Sequence, residues 1–262
     1  MKTTSKKRML ISSVAMLLVA MLALGTATFA WFTTSTSATA SKLSVKTVKA
    51  SELQLSSTTI EWTDTLVYNK LNTVLKPASS ANGTNWFIAD AADKNGTAGT
   101  ITPKATTDTD FGSYVFMDQL NVRNNGNAPV NNVKISFSLS ESEANNGKYL
   151  RLALVEADKR GTDATLVANF ADNVYGAAAD SALALNSTDA LDTTEITAKN
   201  GANVKFDVGN LTAKGAASGN VKFYNLYIWF EGQDTDCKDA NAGNSMPEIT
   251  FTVEGDTVET AD

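Results

Sequence analysis

The sequence predicts an all-β fold: an antiparallel jelly-roll-like β-sandwich with a short helical insertion, preceded by an N-terminal signal segment. Three observations predict it. Apolar and polar residues alternate through most of the chain after residue 40, which is the period of half-buried strands. The connections between these runs are rich in Asn and Gly, as in "NNGNAP", "KNGTAGT" and "AKGAASGN". No period of 20 to 50 residues repeats, which excludes a solenoid.

The chain begins with Lys2, Lys6, Lys7 and Arg8 and no acid, followed by an apolar run over 9–24 and then by small residues. A positive start, an apolar middle and a small-residue exit are the order of a secretory signal. Two exits fit a peptidase that requires small side chains, one ending at Ala30 and one at Ala40. Ala30 lies closer to the apolar run, so cleavage is expected between Ala30 and Trp31. The run extended to Phe32 is about long enough to span a bilayer, so an uncleaved anchor is the competing reading. The expected organisation is a signal peptide over 1–30, an extended segment over 31–40 and a β-sandwich domain over 41–262.

The strands follow in order. Leu43 and Val45 open the first, and Leu53 with Leu55 the second. Leu66 and Tyr68 come next, then the short apolar "NWFIAD". In "GSYVFMDQLNVRNNG", Phe116, Leu120 and Val122 share a face, with Asp118 as an irregularity. "NNVKISFSLS" alternates most regularly, setting Val133, Ile135, Phe137 and Leu139 against Lys and Ser. "YLRLALVEA", "NVKFDVGNL" and "EITFTVEG" continue the pattern. "NVKFYNLYIWFEG" is apolar on both faces, which marks a central strand covered on both sides. Its aromatics Tyr224, Tyr227, Trp229 and Phe230 are expected in the core rather than on a sugar-stacking platform. Helical periodicity is weak, and "AAADSALAL" over 177–185 is the best candidate for a helical turn or two.

Composition excludes several classes of function. Loss of residues 1–30 takes four of the 22 basic residues and none of the 28 acids, which leaves a net charge of −10. Such a chain repels nucleic acid and anionic lipid, so no nucleic-acid partner is expected and membrane contact is confined to the signal segment. There is no histidine, which removes the commonest general base and zinc ligand. With a single cysteine, Cys237, no internal disulfide can form. Cys237 reads as a small buried residue at a strand end, against the alternative of an intermolecular disulfide. No catalytic residue is expected: a serine triad lacks its histidine, and Cys237 lacks a partner base. Asp234 and Asp236 could be imagined as a carboxylate dyad, but alternate acids in a polar loop are ordinarily solvated.

"DTDCKDANAGNS" offers Asp234, Asp236 and Asp239 as candidate oxygen ligands, and calcium is the cation such a loop would take. It departs from an EF-hand, with Lys238 and Asp239 where an acid or amide and a glycine belong, so a hydrophilic strand connection is the favoured reading. "TDTDFG" over 107–112 is a still poorer match.

Two stretches carry a family resemblance. "LGTATFAWFTTSTSATASKLSVK" resembles the start of the TasA and camelysin family, exported proteins of Gram-positive bacteria processed by a dedicated signal peptidase. Gly25 and Thr26 match a Gly-Thr pair, Ala30 the last residue removed, Trp31 and Phe32 an aromatic mature start, and 38–45 the lead into the first strand. "LYIWFEGQDTDC" is similar to strings near the end of related secreted proteins, and "VRNNGNAPV" looks like the family's strand-turn-strand. The resemblance covers about 15–48 and 224–254. It implies a jelly roll and, in biofilm-matrix fibres, an N-terminal segment of one subunit that completes the sheet of the next. Camelysin was named as a protease, a role for which this chain lacks the residues.

The expected function is therefore a secreted structural subunit of a cell-surface or biofilm-matrix fibre, with itself or a related matrix subunit as partner. The candidate assembly residues are Trp31, Phe32, Thr34, Thr36, Ala38 and Ala40, in a stretch with no charge and no proline that suits pairing to a sheet edge. The alternative is a monomeric surface module that binds a carbohydrate or host ligand, in which 31–40 is only a flexible spacer.

Overall fold

The computed structural model describes residues 43–47, 52–68, 75–89, 101–139, 146–177, 180–185, 193–232, 234, 237 and 249–257. Ala30, Trp31, Phe32, Thr34, Thr36, Ala38, Ala40, Asp236 and Asp239 lie outside the described residues.

The all-β expectation holds. The strands are β1 (Leu43–Thr47), β2 (Leu53–Ser56), β3 (Thr65–Tyr68), β4 (Trp86–Ala89), β5 (Ile101–Lys104), β6 (Val115–Gln119), β7 (Asn121–Asn124) and β8 (Val130–Phe137). They continue with β9 (Leu150–Ala157), β10 (Val174–Gly176), β11 (Asp180–Leu185), β12 (Thr193–Asn200), β13 (Val204–Leu211), β14 (Val221–Phe230) and β15 (Ile249–Thr257). One sheet has five strands in the order β13-β8-β15-β1-β3. The other has eight, in the order β11-β12-β10-β9-β14-β7-β2, with β6 also paired to β14. A separate two-stranded sheet joins β4 to β5.

Pairing is antiparallel except at β1–β15 and β10–β12, which run parallel. The longest antiparallel ladder joins β14 to β9, from Phe223 opposite Ala157 to Phe230 opposite Leu150. β14 is the hub because it pairs from Phe223 to Phe230 with β9 on one side and with β7 and then β6 on the other.

The helical expectation for 177–185 is overturned. Its described part, Asp180–Leu185, is β11 and pairs residue for residue with β12. The alanines gave a helical propensity, but cross-strand pairing decides the conformation of such a short run. The described helical turn lies at Asn146–Tyr149 (α1), with 3-10 turns at Phe111–Ser113 and Ala171–Asn173.

The period of two sorts the side chains of β9 and β14 between two cores. Leu150, Leu152 and Leu154 of β9 and Tyr224, Leu226, Ile228 and Phe230 of β14 point inward. There they meet Leu43 and Val45 of β1, Ile135 and Phe137 of β8, and Phe251 and Val253 of β15. The alternate residues Ala153, Val155, Tyr227 and Trp229 point outward into a second core. That core is covered by Trp86 and Ile88 of β4, Phe111, and Phe170. The aromatics of β14 are thus core residues, as expected. No helix among the described residues is long and apolar enough to cross a membrane.

Candidate functional site

The outer face of the β6–β14 pair carries a cleft of about 750 Å³. Its floor is formed by side chains that share the outward parity of these strands: Met117 and Gln119 from β6, and Asn225 and Tyr227 from β14. Gln119 is buried and organises the floor. Its Nε2 donates to the carbonyl of Lys159 and to Asn225 Oδ1, both at 3.0 Å, and its Oε1 accepts from the Gly161 amide at 2.9 Å. One amide therefore ties the 159–161 turn to the sheet while fixing the orientation of Asn225. Asn225 Nδ2 in turn donates to the Tyr227 hydroxyl at 3.3 Å. Burial pushes the Tyr227 phenol up, partly opposed by this hydrogen bond, so the ring is neutral at physiological pH.

The walls are turns fixed by short polar side chains. The Ser80 hydroxyl accepts from the Gly83 amide at 2.9 Å and donates to the Asn85 carbonyl at 2.7 Å. Asn82 Oδ1 accepts from the amides of Thr84 and Asn85. Gly83 adopts φ 71°, and a Cβ there would stand 2.7 Å from Phe170 Cε2, so glycine is required by both backbone and space. On the opposite wall Asp158 and Thr165 bond reciprocally: the Asp158 amide donates to the Thr165 carbonyl at 3.0 Å, and the Thr165 amide to Asp158 Oδ1 at 2.8 Å. The Thr165 amide holds the Asp158 carboxyl below the usual carboxylate range.

Among the described lining residues only Asp118 is charged. Its Oδ1 accepts from the amides of Thr58 at 2.9 Å and Gln119 at 2.7 Å. The remaining polar lining is amide and hydroxyl. It can exchange hydrogen bonds in both directions with a neutral ligand, and it has no cation to draw an anion.

The acidic turn that was read as a calcium candidate has a different neighbourhood. Asp234 is 6% exposed, and its Oδ2 accepts from Nη2 of Arg151, itself 1% exposed, at 2.7 Å. Arg151 Nη1 also donates to the carbonyl of Lys148 at 2.8 Å. Next to them Trp229 Nε1 donates to Glu231 Oε2 at 3.0 Å, both residues being buried. The Cys237 amide donates to the Asp234 carbonyl at 3.0 Å, and the side chain is buried, in line with the small-core reading. Burial pushes up the neighbouring Tyr149 phenol, with Cys237 and Asp234 adding to the shift. Asp234 thus serves as the counter-ion of a buried guanidinium, while Asp236 and Asp239 lie outside the described residues. In "TDTDFG", Asp108 and Asp110 both pair with Lys104. Among the described residues no three acid, cysteine or histidine side chains gather as a metal site.

The sequence held signals for both clusters that pattern reading passed over. Arg151 occupies an outward position in a strand whose other outward residues are Ala153 and Val155. Gln119 ends β6 as a buried amide, and Asn225 interrupts the run of aromatic and aliphatic residues in β14. A polar residue in a doubly covered strand needs a buried partner, and each of these has one.

No model of a known protein family matches this chain, and no curated protein is detectably similar to it.

Proposed function

We propose that the protein is a structural subunit of a cell-surface or biofilm-matrix fibre, non-enzymatic, in which the exported chain donates residues 31–40 to a sheet edge of the next subunit. The edge that supports this reading is β3. Among the described residues β3 pairs only with β1, and its sequence Thr-Leu-Val-Tyr has neither charge nor proline. Val67 is 39% exposed there. The opposite edge of the same sheet, β13, is guarded: Lys205 and Asp207 are exposed, and register shifts flank Gly209, which has φ 88°. Charges and bulges deter strand addition, and an uncharged edge invites it. Residues 31–40 end just before β1, the strand beside β3, with Trp31 and Phe32 as apolar anchors and Thr34 and Thr36 as β-branched pairing residues. Ten residues in extended conformation reach about 33 Å, longer than β3 itself.

Light scattering and electron microscopy of the chain processed at Ala30 test the reading. Filaments are expected, together with their loss both on deletion of 31–40 and in Val67→Lys, with unchanged far-ultraviolet circular dichroism in each variant. Filaments that persist after the deletion, or a processed chain that stays monomeric at high concentration, would overturn it. Assembly that survives Val67→Lys while depending on 31–40 would move the acceptor edge away from β3.

A further inference from the structure

We propose that the outer-face cleft binds a neutral oligosaccharide, independently of whether subunits assemble. The first observation is the Tyr227 hydroxyl. Tyr227 is 3% exposed and lines the cleft floor. Its oxygen accepts from Asn225 Nδ2, and its own O–H has no acceptor among the described residues. Asn225 Oδ1 accepts from Gln119 Nε2 at 3.0 Å. The hydroxyl proton is thus available to a ligand oxygen in the cleft.

The second observation is the chemistry of the walls. Six threonines line the cleft. The Nδ2 groups of Asn82 and Asn169 have no partner among the described residues, because the backbone contacts of both side chains use Oδ1. The bound backbone amides hold these side chains in place, so their donors are organised before any ligand arrives. Both donors and acceptors stand free around one concave volume. Sugar hydroxyls need that mixture, because each both donates and accepts. The one charge among the described lining residues, Asp118, is negative and disfavours phosphate, sulfate and uronate. Met117, 40% exposed on the floor, gives an apolar surface for the C–H face of a pyranose. A volume of about 750 Å³ lies in the range of ligand sites and exceeds the needs of a single water-sized guest. An extended peptide is less well served, since the floor presents polar side chains in place of an unpaired strand edge.

Isothermal titration calorimetry on the full chain tests the proposal. The probes are cellotetraose, maltotetraose and tetra-N-acetylchitotetraose, with a heparin tetrasaccharide and a neutral Ser/Gly/Asn decapeptide for comparison. At least one neutral tetrasaccharide is expected to bind. Tyr227→Phe is expected to weaken it about tenfold, the effect of one lost hydrogen bond. Met117→Arg, at the exposed floor, is expected to abolish binding without altering the melting temperature, which keeps the test valid if Tyr227→Phe folds poorly. Absence of binding by all three at about 10 mM would overturn the assignment. So would binding unchanged in both variants, tighter binding of the heparin fragment, or binding of the decapeptide alone. Fibre formation is read separately by light scattering, so failure here leaves the assembly reading standing, and the reverse.

Discussion

The two faces of the β9–β14 centre of the eight-stranded sheet are both covered, yet they are built differently. The inner face meets another sheet. Its residues are mostly aliphatic, and they come from strands on both sides of the sandwich, β1, β8 and β15 facing β9 and β14. The outer face meets turns and a short hairpin. It gathers Trp86, Trp229, Tyr227 and Phe170, with Trp86 and Trp229 edge to face at 5.3 Å. It also holds the buried polar residues Gln119, Arg151 and Glu231. Strand-on-strand packing needs only alternating apolar residues, and a continuous ladder satisfies the backbone on both layers. A cover made of turns leaves backbone groups and corners that polar side chains must satisfy. The polar machinery of this protein therefore lies on the outer face.

Breaking the inner face is expected to have the largest effect. Phe251→Ala empties a fully buried site against Phe137, whose ring centroid lies 5.3 Å away. A loss of about 4 kcal/mol is expected in chemical denaturation, with a single cooperative transition. A loss below about 1 kcal/mol would mean that the two layers do not share one core.

The outer face is sharpened by Arg151→Ala, which takes the paired guanidinium away from the nearly buried Asp234 carboxylate. About 3 kcal/mol is expected, together with a change in near-ultraviolet circular dichroism from the adjacent Trp229. The double variant Arg151→Met with Asp234→Leu is expected to recover most of this, because removing both charges also removes the desolvation cost. If the single and double variants are equally unstable, the pair's role is steric.

The smallest effect concerns pH and is confined to the cleft wall. The Asp158 carboxyl titrates below its ordinary range because the Thr165 amide bonds to the charged form. A depressed folded value means that the contribution is present above the unfolded value of about 4 and is lost as pH falls through the folded one. Amide hydrogen exchange at Thr165, corrected for intrinsic rates, is therefore expected to accelerate only in acid, with the inner-sheet amides unchanged. Asp158→Asn is expected to show the faster exchange already at neutral pH. Loss of protection across both faces together would contradict a local wall.

The difference between the faces also explains what was legible in the sequence. β8 and β15 could be read from Val133, Ile135, Phe251 and Val253 because one side of each strand meets the core and the other meets water or polar neighbours. β14 could be read as a central strand because both of its faces are apolar. Phe111 and Phe170 belong to no periodic run, so their place opposite Trp86 was invisible. β12, "TTEITAKN", has a single isoleucine and reads as a linker, although it pairs with both β10 and β11. Asp234 was read from its acidic neighbours in sequence, whereas its partner is 83 positions away in β9. Long-range charge pairing has no periodic signature.

The parallel pairing of β1 with β15 has a kinetic consequence. Leu43 faces Ile249, so the five-stranded sheet cannot close until β15 is present. Joining ends separated by roughly 200 positions costs about 5 kcal/mol of loop-closure entropy before the pairing contributes anything. Folds dominated by such distant contacts form slowly. During synthesis from the N-terminus, β1 at first has no β15 to pair with, and the β8–β15–β1 centre of the sheet waits for that strand. Until β15 arrives the five-stranded sheet stays open, so the order of the strands sets the moment at which it can close.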